Sequence, residues 1–186
     1  MRVFTVLFLI FIGITNIGRA RPPCSGPGGT AQTWIAVCGT LVFPQANVPS
    51  CSGPNLPPSG CTDVVTSSNS VWYKFHCYQS GTLGFLITPN SGGDDYDWEL
   101  MDYTGRPPVD VYTFNLMVSL NLSAITGPTG CTAGGSLNVH CAGGVAGSQF
   151  NQMPILTVGH DYLLMVTNWS NSGLGYNLIF NGGTAV

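Results

Sequence analysis

Gly92-Gly93-Asp94-Asp95-Tyr96-Asp97-Trp98-Glu99-Leu100-Met101-Asp102 is the stretch that decides the fold. Apolar and acidic residues alternate inside it. In an extended segment successive side chains point to opposite faces, so Tyr96, Trp98 and Leu100 share one face and Asp95, Asp97 and Glu99 the other. That is a strand with an aromatic side for a core and a ladder of carboxylates for water or a ligand. Charge is scarce elsewhere: six of the eight acidic residues lie between Asp94 and Asp110.

Strand patterns continue on both sides. Val71-Trp72-Tyr73-Lys74-Phe75-His76-Cys77-Tyr78 alternates, turns at Gln79-Ser80-Gly81, and is followed by Thr82-Leu83-Gly84-Phe85-Leu86-Ile87-Thr88, so the two read as a hairpin. Leu116–Leu122 is a further strand. Asp161–Asn168 is nearly all apolar, the signature of a central strand, and Gly175–Phe180 closes the chain. Upstream, Arg21–Ser70 is irregular and rich in Pro and Gly, with two short edge-strand candidates, Trp34–Val37 and Thr40–Phe43. No window carries a sustained helical period. These features predict an all-β, antiparallel β-sandwich of jelly-roll type with about eight strands. One domain spans 21–186, loop-rich over 21–70 and carrying its core strands over 71–186.

Residues 1–20 read as a secretory signal peptide: Arg2, a 12-residue apolar run from Val3 to Ile14, then Gly18-Arg19-Ala20 before the cut. The run is shorter than the roughly 20 residues of a membrane span, and the mature chain has none of that length. The expected location is therefore secreted or at the cell surface. Mature cations are Arg21, Lys74 and Arg106; against eight acids the net charge is −5. Nucleic-acid partners are excluded, because neutralising phosphates takes clustered Lys and Arg.

Seven cysteines in a secreted chain imply disulfides, with one left over. No Cys-x-x-Cys spacing supports zinc. Local pairing predicts Cys24–Cys38, Cys51–Cys61 and Cys131–Cys141, leaving Cys77 as a buried thiol in an apolar strand.

Three motifs carry a family likeness: Ser70-Val71-Trp72-Tyr73-Lys74-Phe75, then Ser80-Gly81-Thr82-Leu83-Gly84-Phe85-Leu86-Ile87, then Asp95-Tyr96-Asp97-Trp98-Glu99-Leu100-Met101-Asp102. With the ending Gly159–Ser170 and Gly175–Phe180, the chain resembles secreted Bacteroidota β-sandwich domains of the bacterial pre-peptidase C-terminal type. These sit near the N-terminus of gliding- and adhesion-associated surface proteins. The resemblance implies a non-catalytic extracellular module without catalytic residues. Family members continue into repeats and a type IX sorting domain; here the sequence stops at Gly182-Gly183-Thr184-Ala185-Val186, as in a fragment or a single-domain relative. Tyr96–Asp102 is also similar in spacing to the calcium-binding strand of CUB domains, whose cysteine framework this chain lacks.

Calcium takes six to eight oxygens. Alternate strand residues lie about 6.5–7 Å apart, so Asp95, Asp97 and Glu99 do not all reach one ion. A calcium set would draw on Asp94, Asp95 and Asp97 with a distant group such as Asp102; the competing reading is a solvated face. No other cofactor is expected. Trp169, in the loop Asn168–Gly173, is the candidate for stacking on a glycan, whereas Trp72 and Trp98 fall in strand patterns. His76, His140 and His160 stand in no catalytic motif, so no enzyme is expected. Asn121-Leu122-Ser123 and Asn168-Trp169-Ser170 fit the glycosylation sequon by chance. The function expected is a non-catalytic adhesion or binding module, calcium-stabilised, with an extracellular protein or glycan as partner. Its alternatives are a carbohydrate-binding module and a self-associating structural subunit of a filament or coat.

Overall fold

The computed structural model describes residues 20–38 and 41–185; the signal peptide expected at 1–20 lies almost wholly outside the described residues. Thirteen strands follow in order: β1 Ile35–Ala36, β2 Val42–Asn47, β3 Ser70–His76, β4 Gly81–Thr82, β5 Phe85–Pro89, β6 Tyr96–Asp102, β7 Met117–Asn121, β8 Thr129–Thr132, β9 Val139–His140, β10 Phe150–Gln152, β11 Ile155–Leu156, β12 Asp161–Asn168 and β13 Leu174–Phe180. A 3-10 helix occupies Pro108–Tyr112 between β6 and β7. Among the described residues no helix is long and apolar enough to cross a membrane.

The protein is an all-β sandwich. One sheet has the order β1-β3-β12-β6-β7-β9 and the other β10-β8-β5-β13-β2. Thirteen strands stand where about eight were expected; five of them are only two or three residues long. Every connection between consecutive long strands except β6 to β7 passes from one sheet to the other. The expected hairpin of β3 with the following strand is not formed. β3 pairs with β1 and β12, while β5 pairs with β8 and β13 in the opposite sheet. The segment Cys77–Gly84 crosses between sheets instead of turning back.

The aromatic side of β6 is the centre of the core, as its alternation predicts. Tyr96, Trp98 and Leu100 are buried between the sheets with Phe85, Ile87, Leu164, Tyr176 and Leu178. Trp98 packs edge-on against Phe85 at 4.9 Å and its Nε1 donates to Thr129 Oγ1 at 3.0 Å. β12 lies between β3 and β6, and it reads as a continuous apolar run because both of its faces are covered. The second cover is the irregular N-terminal region. Ala31, Leu56 and Val65 form a separate cluster with Trp72, Met101, Leu163, Met165 and Val111 of the 3-10 helix. Segment 51–69 therefore lies as a strap over the outer face of the six-stranded sheet.

The disulfides differ from the local pairing expected. Cys24 bonds Cys51 and Cys61 bonds Cys141, while Cys38, Cys77 and Cys131 are free. Thus none of Cys24–Cys38, Cys51–Cys61 and Cys131–Cys141 forms. A bridge between Pro23 and Ser52 brings Cys24 beside Cys51. Cys141 follows β9, which lies beside β7 at the sheet edge within reach of the strap. Cys131 lies inside β8 with its side chain fully buried, and burial pushes its thiol up to about 12. Cys77 is a buried free thiol, as its apolar setting predicts.

Both sequon asparagines are buried and engaged. Asn121 Nδ2 donates to Ser148 O at 2.7 Å, and Asn168 Nδ2 to Tyr96 Oη at 2.9 Å.

Candidate functional site

The carboxylate side of β6 is not a wet face. Asp95 and Asp97 are each 6% exposed and Glu99 is 3% exposed. Alternation puts them on the outer face, and the strap and the 3-10 helix cover that face. Met165 stands opposite Glu99 and Thr167 opposite Asp97 on β12; Thr167 Oγ1 in turn donates to Ser68 O of the strap. Asp95 Oδ1, Asp97 Oδ1 and Glu99 Oε2 are buried without a hydrogen-bond partner among the described residues. The ion pairs found there fall elsewhere, on Asp161, Asp110 and Asp102. An unpaired anion is expensive to bury, so burial favours the protonated form of each. Burial pushes Asp95 up to about 6 and Glu99 up to about 8. Asp97 is raised well above the carboxylate range by burial, and the charges of Asp95 and Asp63 add to the effect.

The four aspartates nominated for calcium are not gathered. Asp94 accepts a hydrogen bond from Ser172 Oγ at 2.7 Å in the entry loop. Asp102 is at the far end of β6, five residues beyond Asp97 and so about 17 Å along the strand. There it accepts from Thr104 Oγ1 at 2.6 Å and faces His160 Nδ1 at 2.6 Å. Burial alone would raise the Asp102 carboxyl, but these hydrogen bonds outweigh it and hold the group below its usual value. Among the described residues no group of three or more His, Cys, Asp or Glu is placed to hold a metal ion. Asp94 and Asp102, at opposite ends of the strand, are too far apart to share one ion.

At the end of the sandwich away from the entry loop, an open groove of about 1040 Å³ lies between the β1–β3 edge and the C-terminal segment. Val37, Phe75, Leu83, Leu156, Phe180 and Ala185 line it. The C-terminal part of this lining is held in place by the chain's last described residues. Thr184 N and Ala185 N both donate to Thr82 O, at 2.8 and 3.0 Å. Gly84 permits the close approach, since a Cβ there would stand 2.1 Å from Asn181 O.

Polar groups gather on one side of this groove. Asp161 Oδ1, at the start of β12, lies 3.0 Å from His76 Nδ1 and 3.9 Å from Lys74 Nζ, both at the end of β3. Antiparallel register puts Asp161 opposite His76. The Lys74 ammonium also sits over the Trp34 ring, 5.0 Å from its centroid. Nothing in the sequence joined His76 to Asp161 across 85 positions; only the strand pairing does so. The free thiol of Cys77 lines the groove and donates to Gln79 O at 3.2 Å.

Trp169 is 56% exposed, as expected of a loop tryptophan. It borders a polar hollow of about 220 Å³ with Arg21, Asn69 and Asn171. Arg21 Nη1 donates to Asn171 Oδ1 at 2.7 Å and Asn69 Oδ1 at 3.2 Å.

Fold and sites together define a disulfide-clamped β-sandwich with a ligand-sized apolar groove at one end. No protein-family model matches the chain, and no curated protein matches it. Among solved structures it is similar to a surface-associated copper-binding protein important in copper acquisition by Methylomicrobium album BG8. The identity is 12% and the TM-score 0.42, over 84% of this chain and 100% of that one.

Proposed function

We propose that this chain is a secreted, non-catalytic binding module of the cell surface, and that the apolar groove is where it binds. The observation that carries the reading is the groove itself. Its volume matches the upper range of small-molecule sites, roughly 300–1,000 Å³, and its walls are mostly apolar, with the charged groups gathered in one cluster. The secreted Bacteroidota domains that its strand motifs resemble are adhesion modules, which supports a binding role outside the cell. Nucleophilic catalysis would need the thiol within hydrogen-bond reach of the imidazole; the Cys77 thiol donates to Gln79 O instead.

Ala36 is exposed and lines the groove, so a large side chain there fills the space at little cost to the core. N-phenyl-1-naphthylamine, a neutral apolar fluorophore, is expected to bind the mature protein. Ala36→Trp should weaken that binding at least tenfold while leaving the melting temperature unchanged. Equal binding by the two proteins, or none by either, would overturn the groove reading.

A second reading rests on Trp169. An exposed indole beside Arg21, Asn69 and Asn171 is the composition of a sugar subsite, where aromatic faces stack and amides hydrogen-bond. On that reading the module binds glycan, and Trp169→Ala abolishes retention on a glycan array without affecting fluorophore binding in the groove.

A further inference from the structure

Resting on the groove reading, we infer that the ligand is a neutral apolar alcohol, and that His76 Nε2 is the acceptor for its hydroxyl. Three features of the polar cluster lead there. First, Asp161 is bonded to His76 through Nδ1, at 3.0 Å. A carboxylate only accepts, so in the neutral imidazole the shared proton is assigned to Nδ1 and Nε2 carries the lone pair. Second, Nε2 has no hydrogen-bond partner among the described residues, and the His76 side chain is 36% exposed. It is an acceptor in the wall of the groove, ready for a donor brought by the ligand.

Third, the cluster selects against a charged head group. Lys74 and Asp161 lie 3.9 Å apart and oppose each other's field. A ligand carboxylate placed here would gain from Lys74 and lose to Asp161, and a ligand ammonium would meet the reverse. A neutral hydroxyl meets neither loss. Away from the cluster the lining is mostly carbon, with Thr82 and Asn181 as polar exceptions: Phe75 lies 5.8 Å from Phe180, and Leu83 and Leu156 continue the surface. The body of the ligand is therefore apolar, and its one hydroxyl sits at the His76 end.

Displacement of N-phenyl-1-naphthylamine from the mature protein at pH 8 tests this with three matched competitors: 1-decanol, decyl methyl ether and decanoate. Decanol is expected to displace the fluorophore at about one-tenth the concentration needed for the ether, the upper end of the net worth of one hydrogen bond. Decanoate is expected to be weaker than decanol. His76→Phe should keep fluorophore binding and erase the preference for decanol over the ether. His76→Gln, which restores an acceptor oxygen, should recover part of it. Fluorophore binding with equal displacement by decanol and ether, or preferred displacement by decanoate, overturns the hydroxyl assignment and leaves the groove standing. A preference for decanol that survives in His76→Phe overturns the role of His76. Absence of fluorophore binding removes the groove and the alcohol site together.

Discussion

Glu99→Gln is expected to stabilise the protein at pH 9 by roughly 4–5 kcal/mol and to change it by less than about 1 kcal/mol at pH 4. In the folded protein burial holds the Glu99 carboxyl up at about 8, against an ordinary 4.5 that the unfolded chain retains. Below 4.5 both states carry the proton, and the contribution of the protonated side chain is fully present. Between 4.5 and 8 the folded state binds a proton that the unfolded state has lost, so stability falls as pH rises. Above 8 the loss is complete. Glutamine keeps the shape of the protonated acid and never ionises, so its advantage grows through that window. Asp95, held at about 6, adds a smaller loss over the lower part of it. The wild type should therefore tolerate acid and weaken in alkali, the reverse of acid denaturation driven by ion-paired carboxylates. Urea titrations from pH 4 to pH 9 measure this directly. A wild-type stability that stays level across that range would sink the protonated-ladder account. So would a large stabilisation by millimolar calcium at pH 8, since it would show ionised carboxylates holding a cation.

Removing Cys61–Cys141 with paired alanines is expected to cost about 4–5 kcal/mol, against about 3.5 kcal/mol for Cys24–Cys51. The difference follows from the loops they close, with separations of 80 and 27 residues. The larger loss is a third or more of the stability of a typical domain, roughly 5–15 kcal/mol. The same bond ties the strap to the edge of the sheet above β6. Loosening it lets water reach Glu99, so the alanine pair should also show a shallower fall in stability with pH than the wild type. Chemical denaturation of the two double variants at pH 5 and pH 8 reads both effects. A greater loss from the Cys24–Cys51 pair, or an unchanged pH slope without Cys61–Cys141, would show that the strap does not seal the ladder.

Much of the sandwich was legible because strands facing a core alternate. Tyr96, Trp98 and Leu100 point inward as read, β12 is central, and β1 and β2 are edge strands. Alternation reports only that one face differs from the other; it does not say what covers the polar face. Asp95, Asp97 and Glu99 read the same under water or under a strap, and here the Pro-rich 51–69 segment supplies a cover that no periodicity announces. Register across distant strands is equally silent. His76 and Asp161 meet because β3 and β12 pair, and Asp102 is removed from Asp94 because a strand is straight. Cysteine pairing is silent for a related reason: spacing along the chain does not report proximity, and here an isolated bridge brings position 24 beside 51 while the strap lays 61 beside 141. The groove depends on the last residues folding back against Gly84, which small residues such as Gly182, Gly183 and Ala185 do not advertise.

The two disulfides also determine how the molecule bears tension. A pull applied at Arg21 and at Ala185 passes through Cys24–Cys51, along residues 52–60, across Cys61–Cys141, and out through residues 142–185. Strands β1 and β2 lie within the first bypass, and β3 to β9 within the second. Only β10 to β13 lie on the loaded path. The acidic strand and the His76 wall of the groove are carried as slack, so a stretched molecule peels from its C-terminal side and pays out only a fraction of its length until a reductant cuts the bypass.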